Sequence, residues 1–61
     1  MIMDTKEIQL YDEVEILKTG EHAFVVEMDT HPGHDSYMLE IKDKNELPLF
    51  YKRKDFKFIR R

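Results

Sequence analysis

The sequence has no cysteine and no tryptophan, and only two glycines and two prolines in 61 residues. Without cysteine the chain cannot form a disulfide, so its stability must come from good packing, a metal ion or a partner. A chain of this length buries only about 60% of the surface that its unfolded form exposes. We therefore expect one domain with a small core. Burial of additional surface at an interface would stabilise such a domain.

The sequence also lacks a long apolar run. No segment approaches the roughly 18 apolar residues that a membrane-spanning helix needs. The first seven residues, MIMDTKE, have no apolar core and do not resemble a secretory signal. Together with the absence of cysteine, these features lead us to expect a cytoplasmic protein.

Charge is abundant but unevenly distributed. Charged residues make up 38% of the chain and hydrophobic residues 41%, which favours a globular domain over a disordered one. The net charge is −3, yet residues 52–61 carry six cations and one acid, whereas residues 1–51 carry four cations and twelve acids. The basic end is suited to contact with a polyanion, but its cations can equally offset Glu13, Glu15 and other acids on neighbouring strands. A domain that binds nucleic acid is usually basic throughout, so the second interpretation is the commoner one.

The first half of the chain predicts two strands. Polar and apolar residues alternate from Glu13 to Ile16, which predicts a strand with Glu13 and Glu15 facing solvent. A turn at Gly20 separates it from residues 22–29, the longest apolar segment. This segment has two apolar faces, one with Phe24, Val26 and Met28 and the other with Ala23 and Val25. We predict a long, bent central strand that is buried on both sides for part of its length.

The second half predicts three more strands. Residues 30–35 are a loop in which Pro32 and Gly33 suit a type II turn. Residues 36–42 form a strand with Tyr37, Leu39 and Ile41 on one face. After a polar turn, Pro48 places residues 49–51 at a strand start or a sheet edge. Residues 52–55 form a single helical turn or tight bend, and residues 56–59 form the last strand.

These elements predict an all-β fold. No segment shows helical periodicity over about ten residues. Short antiparallel strands must close on themselves to bury one face and hide their edges. We therefore predict a five-stranded half-open barrel over residues 10–61 with one short helical turn before the last strand. Residues 1–9 are predicted to be an N-terminal arm or a first short strand.

Four segments carry a resemblance to a known group of proteins. They are LYDEV, GEHAFVVE, YMLEI and KDFKFI, at residues 10–14, 20–27, 37–41 and 54–59. Together they resemble small stand-alone bacterial SH3-like proteins of uncharacterised function, whose pattern is Y/L-D-x-V, G-D/E-x-G/A-x-V-V-E and Y-x-V-E-F/I. The resemblance implies an SH3-like barrel over residues 10–61. It implies no particular activity, because this fold hosts many functions.

Three better-known relatives fit less well. A KOW-type module would have a second glycine at Ala23 and basic loops around it. A peptide-binding SH3 domain shares the Leu-Tyr-Asp sequence at residues 10–12, but without tryptophan the aromatic wall for a proline-rich ligand is incomplete. A Tudor-like aromatic cage would use Tyr11, Phe50 and Tyr51, although tyrosines at strand ends are more often half-buried packing residues.

Two histidines are candidates for metal binding. His31 and His34 flank the Pro-Gly turn, with Asp29 and Asp35 nearby, and imidazole and carboxylate are both zinc ligands. Two histidines on a loop without cysteine fall short of a closed four-ligand site, so a solvated loop is the alternative. We expect no metal and no other cofactor.

Catalytic residues are not apparent either. The chain has a single serine, Ser36, and no residue pattern that places a base beside a nucleophile. We therefore expect a non-enzymatic interaction module that binds a protein partner or self-associates through an exposed strand edge or an aromatic patch. The candidate partner-binding residues are Tyr11, Phe50, Tyr51, Lys52, Arg53, Lys54 and Lys57. The alternative is a nucleic-acid-associated, KOW-like adaptor that uses the basic C-terminal segment, with Phe50 and Tyr51 stacking on bases.

Overall fold

The computed structural model describes residues 6–61 and shows one sheet of five antiparallel strands. The strands are β1 Glu13–Ile16, β2 His22–His31, β3 His34–Ile41, β4 Leu49–Tyr51 and β5 Phe56–Arg60. A short 3-10 turn, Arg53–Asp55, connects β4 to β5. The strand order is β4-β3-β2-β1-β5, so β4 and β5 lie at the two edges of a sheet that is not closed.

The all-β, five-stranded prediction is confirmed, and so is the helical turn before the last strand. Residues 1–5 of the predicted N-terminal arm lie outside the described residues. Within residues 6–61, no helix has the length and apolar character needed to cross a bilayer.

β2 carries apolar residues on both faces, but the faces change within the strand. Ala23 and Val25 are fully buried on the core side. The register between β2 and β3 shifts after Val25, which makes Val26 the extra residue of a β-bulge. Because one extra residue reverses the alternation, Met28 then packs against the core. The predicted grouping of Phe24 and Val26 with Met28 is therefore wrong: Phe24 pairs with Glu40 and Met28 with Tyr37, on opposite faces of β3, and of the three only Met28 packs against the core.

The hairpin between β2 and β3 has a two-residue loop, Pro32 and Gly33. The sequence predicts a longer loop over residues 30–35, but the strands continue to His31 and from His34, which pair across the hairpin. Gly33 has a φ of 79°, the positive value that a type II turn requires at its second central position. Pro32 cannot adopt the positive φ that the commoner primed hairpin turns need at the first.

The core lies on one face of the sheet. Its buried hydrophobic residues are Ile8, Val14, Ile16, Ala23, Val25, Tyr37, Leu39 and Phe56. The predicted core faces of β1 and β3 are confirmed by Val14, Ile16, Tyr37 and Leu39. Ile8 comes from the segment before β1, which two arginines hold in place: Arg53 donates to the Lys6 carbonyl and Arg61 to the Glu7 carbonyl, at 2.9 and 3.1 Å.

One carboxylate predicted to face solvent is buried. The Glu13 side chain is only 8% exposed, because His22, Lys42 and Arg60 surround it. The His22 Nδ1 and the Arg60 Nε lie 2.8 and 3.0 Å from its carboxylate oxygens. The hydrogen bond with His22 lowers the pKa of Glu13; burial opposes this, and the charges of Arg60 and Lys42 reinforce it. The strand alternation was predicted correctly, but the covering side chains come from β2, from β5 and from the turn after β3.

Candidate functional site

The two edges of the sheet differ in character. Edge strands expose unpaired backbone groups, and proteins commonly block them with charged side chains. β5 carries Lys57 and Arg60, whereas β4 has no charge between Leu49 and Tyr51. Leu49 and Phe50 are 59% and 63% exposed, and the preceding Leu47 is 87% exposed. We refer to these three residues as the β4 edge surface.

Local structure explains why β4 is short and fixed in place. Pro48 favours an extended chain before the strand and has no N–H to offer to a ladder. After the strand, the Asp55 carboxylate accepts a hydrogen bond from the Lys52 N–H at 3.0 Å, and the Asp55 N–H donates to the Lys52 carbonyl at 2.9 Å. The Asp35 carboxylate accepts from the Arg53 N–H at 3.2 Å and so ties the 3-10 turn to β3.

A groove of about 330 Å³ lies between β4 and the start of β3. Its walls include His34 and Ser36 on one side and Phe50, Tyr51 and Lys52 on the other. The groove is at the small end of the range for ligand-binding pockets. It can accept one or two side chains of a bound segment beside the β4 edge surface.

The predicted aromatic residues are only partly brought together. Phe50 and Tyr51 are adjacent on β4, and Tyr51 packs against the core. Tyr11 is 72% exposed, but its N–H donates to the carbonyl of Val25 on β2, and β3 separates β2 from β4. Among residues 6–61, no ring contact joins Tyr11 to either of the other two. The Tudor-like cage is therefore not assembled in this structure.

Two of the four cations in the predicted partner-binding site, Arg53 and Lys57, are engaged within the protein. Arg53 donates to the carbonyl of Phe56 at 2.9 Å, and its guanidinium lies over the Phe56 ring. The Lys57 Nζ lies 3.7 Å from Glu15 on β1. In the described part of the chain, Lys52 and Lys54 form no ion pair. These two lysines follow β4 directly and are the cations that remain for a partner.

The two candidate histidines, for which no metal was expected, are brought together with Asp29. Asp29, His31 and His34 have ligand-type atoms within 4.8 Å of one another, and we call them the hairpin-tip cluster. The Nδ1 atoms of His31 and His34 lie 3.1 and 3.4 Å from the two carboxylate oxygens of Asp29. Asp35, the other nearby acid, does not belong to the cluster: it pairs with Thr30 across the hairpin, which puts it on the other face, and its carboxylate accepts from the Arg53 N–H.

Leu47 and Leu49 were not predicted as surface residues: Leu47 was given no role, and Leu49 was interpreted only as part of the strand at residues 49–51. The signal was Pro48, which marks an edge strand and therefore a strand with less cover. The burial of Asp12 was missed as well, because its partner Arg61 lies 49 positions away in the sequence. Comparison with protein-family models, with curated proteins and with solved structures gave no match for this chain.

Proposed function

We propose that this chain is a non-enzymatic interaction module, of the SH3-like half-open barrel type, that binds a protein partner by strand addition along β4. The strand order and the 3-10 turn before β5 support the SH3-like assignment. The observation that carries the function is the contrast between the two sheet edges. β5 carries the cations Lys57 and Arg60, whereas the edge at β4 is apolar and uncovered within residues 6–61.

The proposed partner supplies an extended segment. Its backbone pairs with the free side of β4, and its apolar side chains cover Leu47, Leu49 and Phe50. The side-chain pockets along such an edge select alternate residues of the segment, because successive side chains point to opposite faces. Lys52 and Lys54 at the end of β4 favour an acidic residue at the matching end of the segment.

Peptide selection tests this proposal. We expect a phage library of random dodecapeptides to yield binders that are extended and apolar with an acidic end. Amide chemical-shift changes on binding should map to residues 47–52. Leu49→Lys should weaken binding at least tenfold, because it places a charge on the strand edge. Leu17→Lys is the matched control, since Leu17 is 54% exposed but follows β1, and it should leave affinity within twofold.

Two outcomes would contradict the proposal. One is amide chemical-shift changes that map away from β4, and the other is an equal loss of peptide affinity in Leu49→Lys and Leu17→Lys. Light scattering over a range of protein concentrations addresses self-association. A dimer that Leu49→Lys dissociates would assign the edge to a second copy of the chain in place of a separate partner.

The nucleic-acid alternative leads to a different expected result. Within residues 6–61, Lys52 and Lys54 form no internal ion pair and are the cations most available to phosphates, so binding to duplex DNA should be weak. Two phosphate contacts correspond to a slope of about −1.8 in a plot of log K against log salt concentration. Fluorescence anisotropy with a labelled duplex measures this slope. A slope of about −4 or steeper would show that Lys57, Arg60 or Arg61 leave their carboxylates for phosphates, and would favour the alternative.

A further inference from the structure

We propose that the hairpin-tip cluster, Asp29, His31 and His34, binds one divalent transition-metal ion of the zinc type. This inference does not depend on the proposed partner binding. The cluster is exposed at the end of the β2–β3 hairpin, and each of its side chains is at least half exposed.

The backbone puts the three side chains on one face. His31 and His34 are directly opposite each other in the antiparallel register, and the short Pro-Gly loop fixes that pairing. Directly opposed residues have Cβ atoms about 4.5–5.5 Å apart, which suits two imidazoles that share one ion. Asp29 is two residues before His31 and so points to the same face.

Two of the spacings between ligand atoms are close to those of a coordination shell, and all three ligand atoms lie within 4.8 Å of one another. Zinc binds imidazole nitrogen and carboxylate oxygen at about 2.0–2.2 Å, so neighbouring ligand atoms around a tetrahedral ion are about 3.3 Å apart. The two contacts between the histidine Nδ1 atoms and the Asp29 carboxylate are 3.1 and 3.4 Å. Water would complete the coordination of the ion, as in other open zinc sites.

The rings must turn to bind. The imidazoles of His31 and His34 are stacked with centroids 4.7 Å apart and planes 3° from parallel. A metal ion lies in the plane of each ring that binds it, so each ring has to rotate about χ2. That torsion has a broad energy profile, and the exposed rings have room to rotate.

The donor set indicates the class of ion. Two imidazoles and one carboxylate suit Zn²⁺, Cu²⁺ or Ni²⁺, whereas Ca²⁺ and Mg²⁺ prefer oxygen ligands alone. Zn²⁺ imposes no geometry through its d electrons, so a surface site with adjustable rings fits it best.

Isothermal titration calorimetry with zinc chloride tests this inference on the full chain, without an affinity tag and after treatment with a chelator. We expect one ion per chain. Zinc at roughly ten times its Kd should raise the Tm by about 5–10 °C. His31→Ala and His34→Ala should each weaken binding at least tenfold, and Asp29→Asn about threefold to tenfold. The control is His22→Gln, because His22 pairs with Glu13 away from the hairpin tip, and it should leave the zinc Kd unchanged.

Three results would overturn the inference. The first is the absence of both heat and a Tm shift at millimolar zinc. The second is a zinc Kd that neither His31→Ala nor His34→Ala changes, together with imidazole NMR signals that place the ion at His22. The third is one ion per two chains, which would mean a bridge between molecules in place of a chelate within one. All three variants of the cluster replace exposed side chains, and circular dichroism checks that they fold.

Discussion

Phe56→Ala is expected to remove about 3–5 kcal/mol from the free energy of unfolding, the usual cost of deleting a large buried aromatic side chain. Phe56 is 1% exposed and begins β5 directly after the 3-10 turn. Its ring meets the ring of Tyr37 edge to face at 5.2 Å, and the Arg53 guanidinium lies 5.0 Å from its centroid. The residue therefore joins β3, β5 and the 3-10 turn.

The loss of unfolding free energy in Phe56→Ala is large compared with the total stability of the protein. Globular proteins have about 0.05–0.15 kcal/mol of stability per residue, which gives roughly 3–9 kcal/mol for this chain. The variant should accordingly be largely unfolded, or unfold at a much lower urea concentration. Urea titration followed by far-UV circular dichroism measures this, because the chain has no tryptophan for fluorescence.

Phe50→Ala is the matched control, since Phe50 is 63% exposed on β4. It should change the unfolding free energy by no more than about 0.5 kcal/mol. Phe56→Leu keeps an apolar side chain in the core and should cost about 1–2 kcal/mol. Equal urea midpoints for Phe56→Ala and Phe50→Ala would contradict this account of the core.

The strands β1 and β3 were predictable because one face of each is buried, and the apolar alternation of their sequences reports that directly. The faces of β2 were not predictable, since the bulge at Val26 reverses the alternation and depends on pairing with β3. A sequence with apolar residues on both faces fits a bulge or a fully buried strand equally well. Only the register of pairing between β2 and β3 distinguishes a bulge from a fully buried strand.

In the candidate site, too, the sequence reveals neighbours along the chain but not contacts between distant residues. The sequence identifies Phe50 and Tyr51 beside a basic segment, because they are neighbours in the chain. It does not show that Arg61 donates a hydrogen bond to a buried carboxylate of the same chain, because its partner Asp12 is 49 positions away. The histidines were recognisable at the Pro-Gly turn, but the choice between Asp29 and Asp35 depends on strand parity, which requires the observed bounds of β2 and β3.

Asp12→Asn is expected to destabilise the fold by about 1.5–3 kcal/mol, the range for hydrogen bonds to a charged group. Asp12 is fully buried, and its carboxylate accepts from the Gln9 N–H at 2.8 Å and from the Arg61 Nε at 3.0 Å. Its carbonyl also accepts from the Val25 N–H. Asp12 therefore ties the segment before β1 to the end of the chain and to β2.

A double-mutant cycle separates this pair from a general effect of either change. Arg61→Ala also destabilises, because it leaves the Asp12 carboxylate without its cation. The double variant should lose less than the sum of the two single variants, since both remove the same interaction. Additive losses in urea titrations would mean that the two side chains act independently.

The dependence of stability on pH gives the sharper test. Burial raises the pKa of Asp12, but hydrogen bonds from Arg61 and the Gln9 N–H outweigh it and leave the pKa below its ordinary value of 3.8. The pKa of Glu13 is also below its ordinary value of 4.5. Between the ordinary and the lowered values the unfolded chain binds more protons than the folded one, so folding stability decreases as pH falls through the lower folded pKa values.

We therefore expect the free energy of unfolding to change little through these two groups above about pH 5 and to decrease steadily below it. Asp12→Asn removes one of the two groups, so its stability should decrease less steeply than that of the wild type over the same range. The two curves should approach each other at low pH, because the protonated Asp12 carboxyl and the amide that replaces it in the variant are both neutral. Parallel curves from about pH 5 to pH 2 would mean that the Asp12 carboxylate has the same proton affinity in the folded and unfolded chains, which its buried contact with Arg61 does not allow.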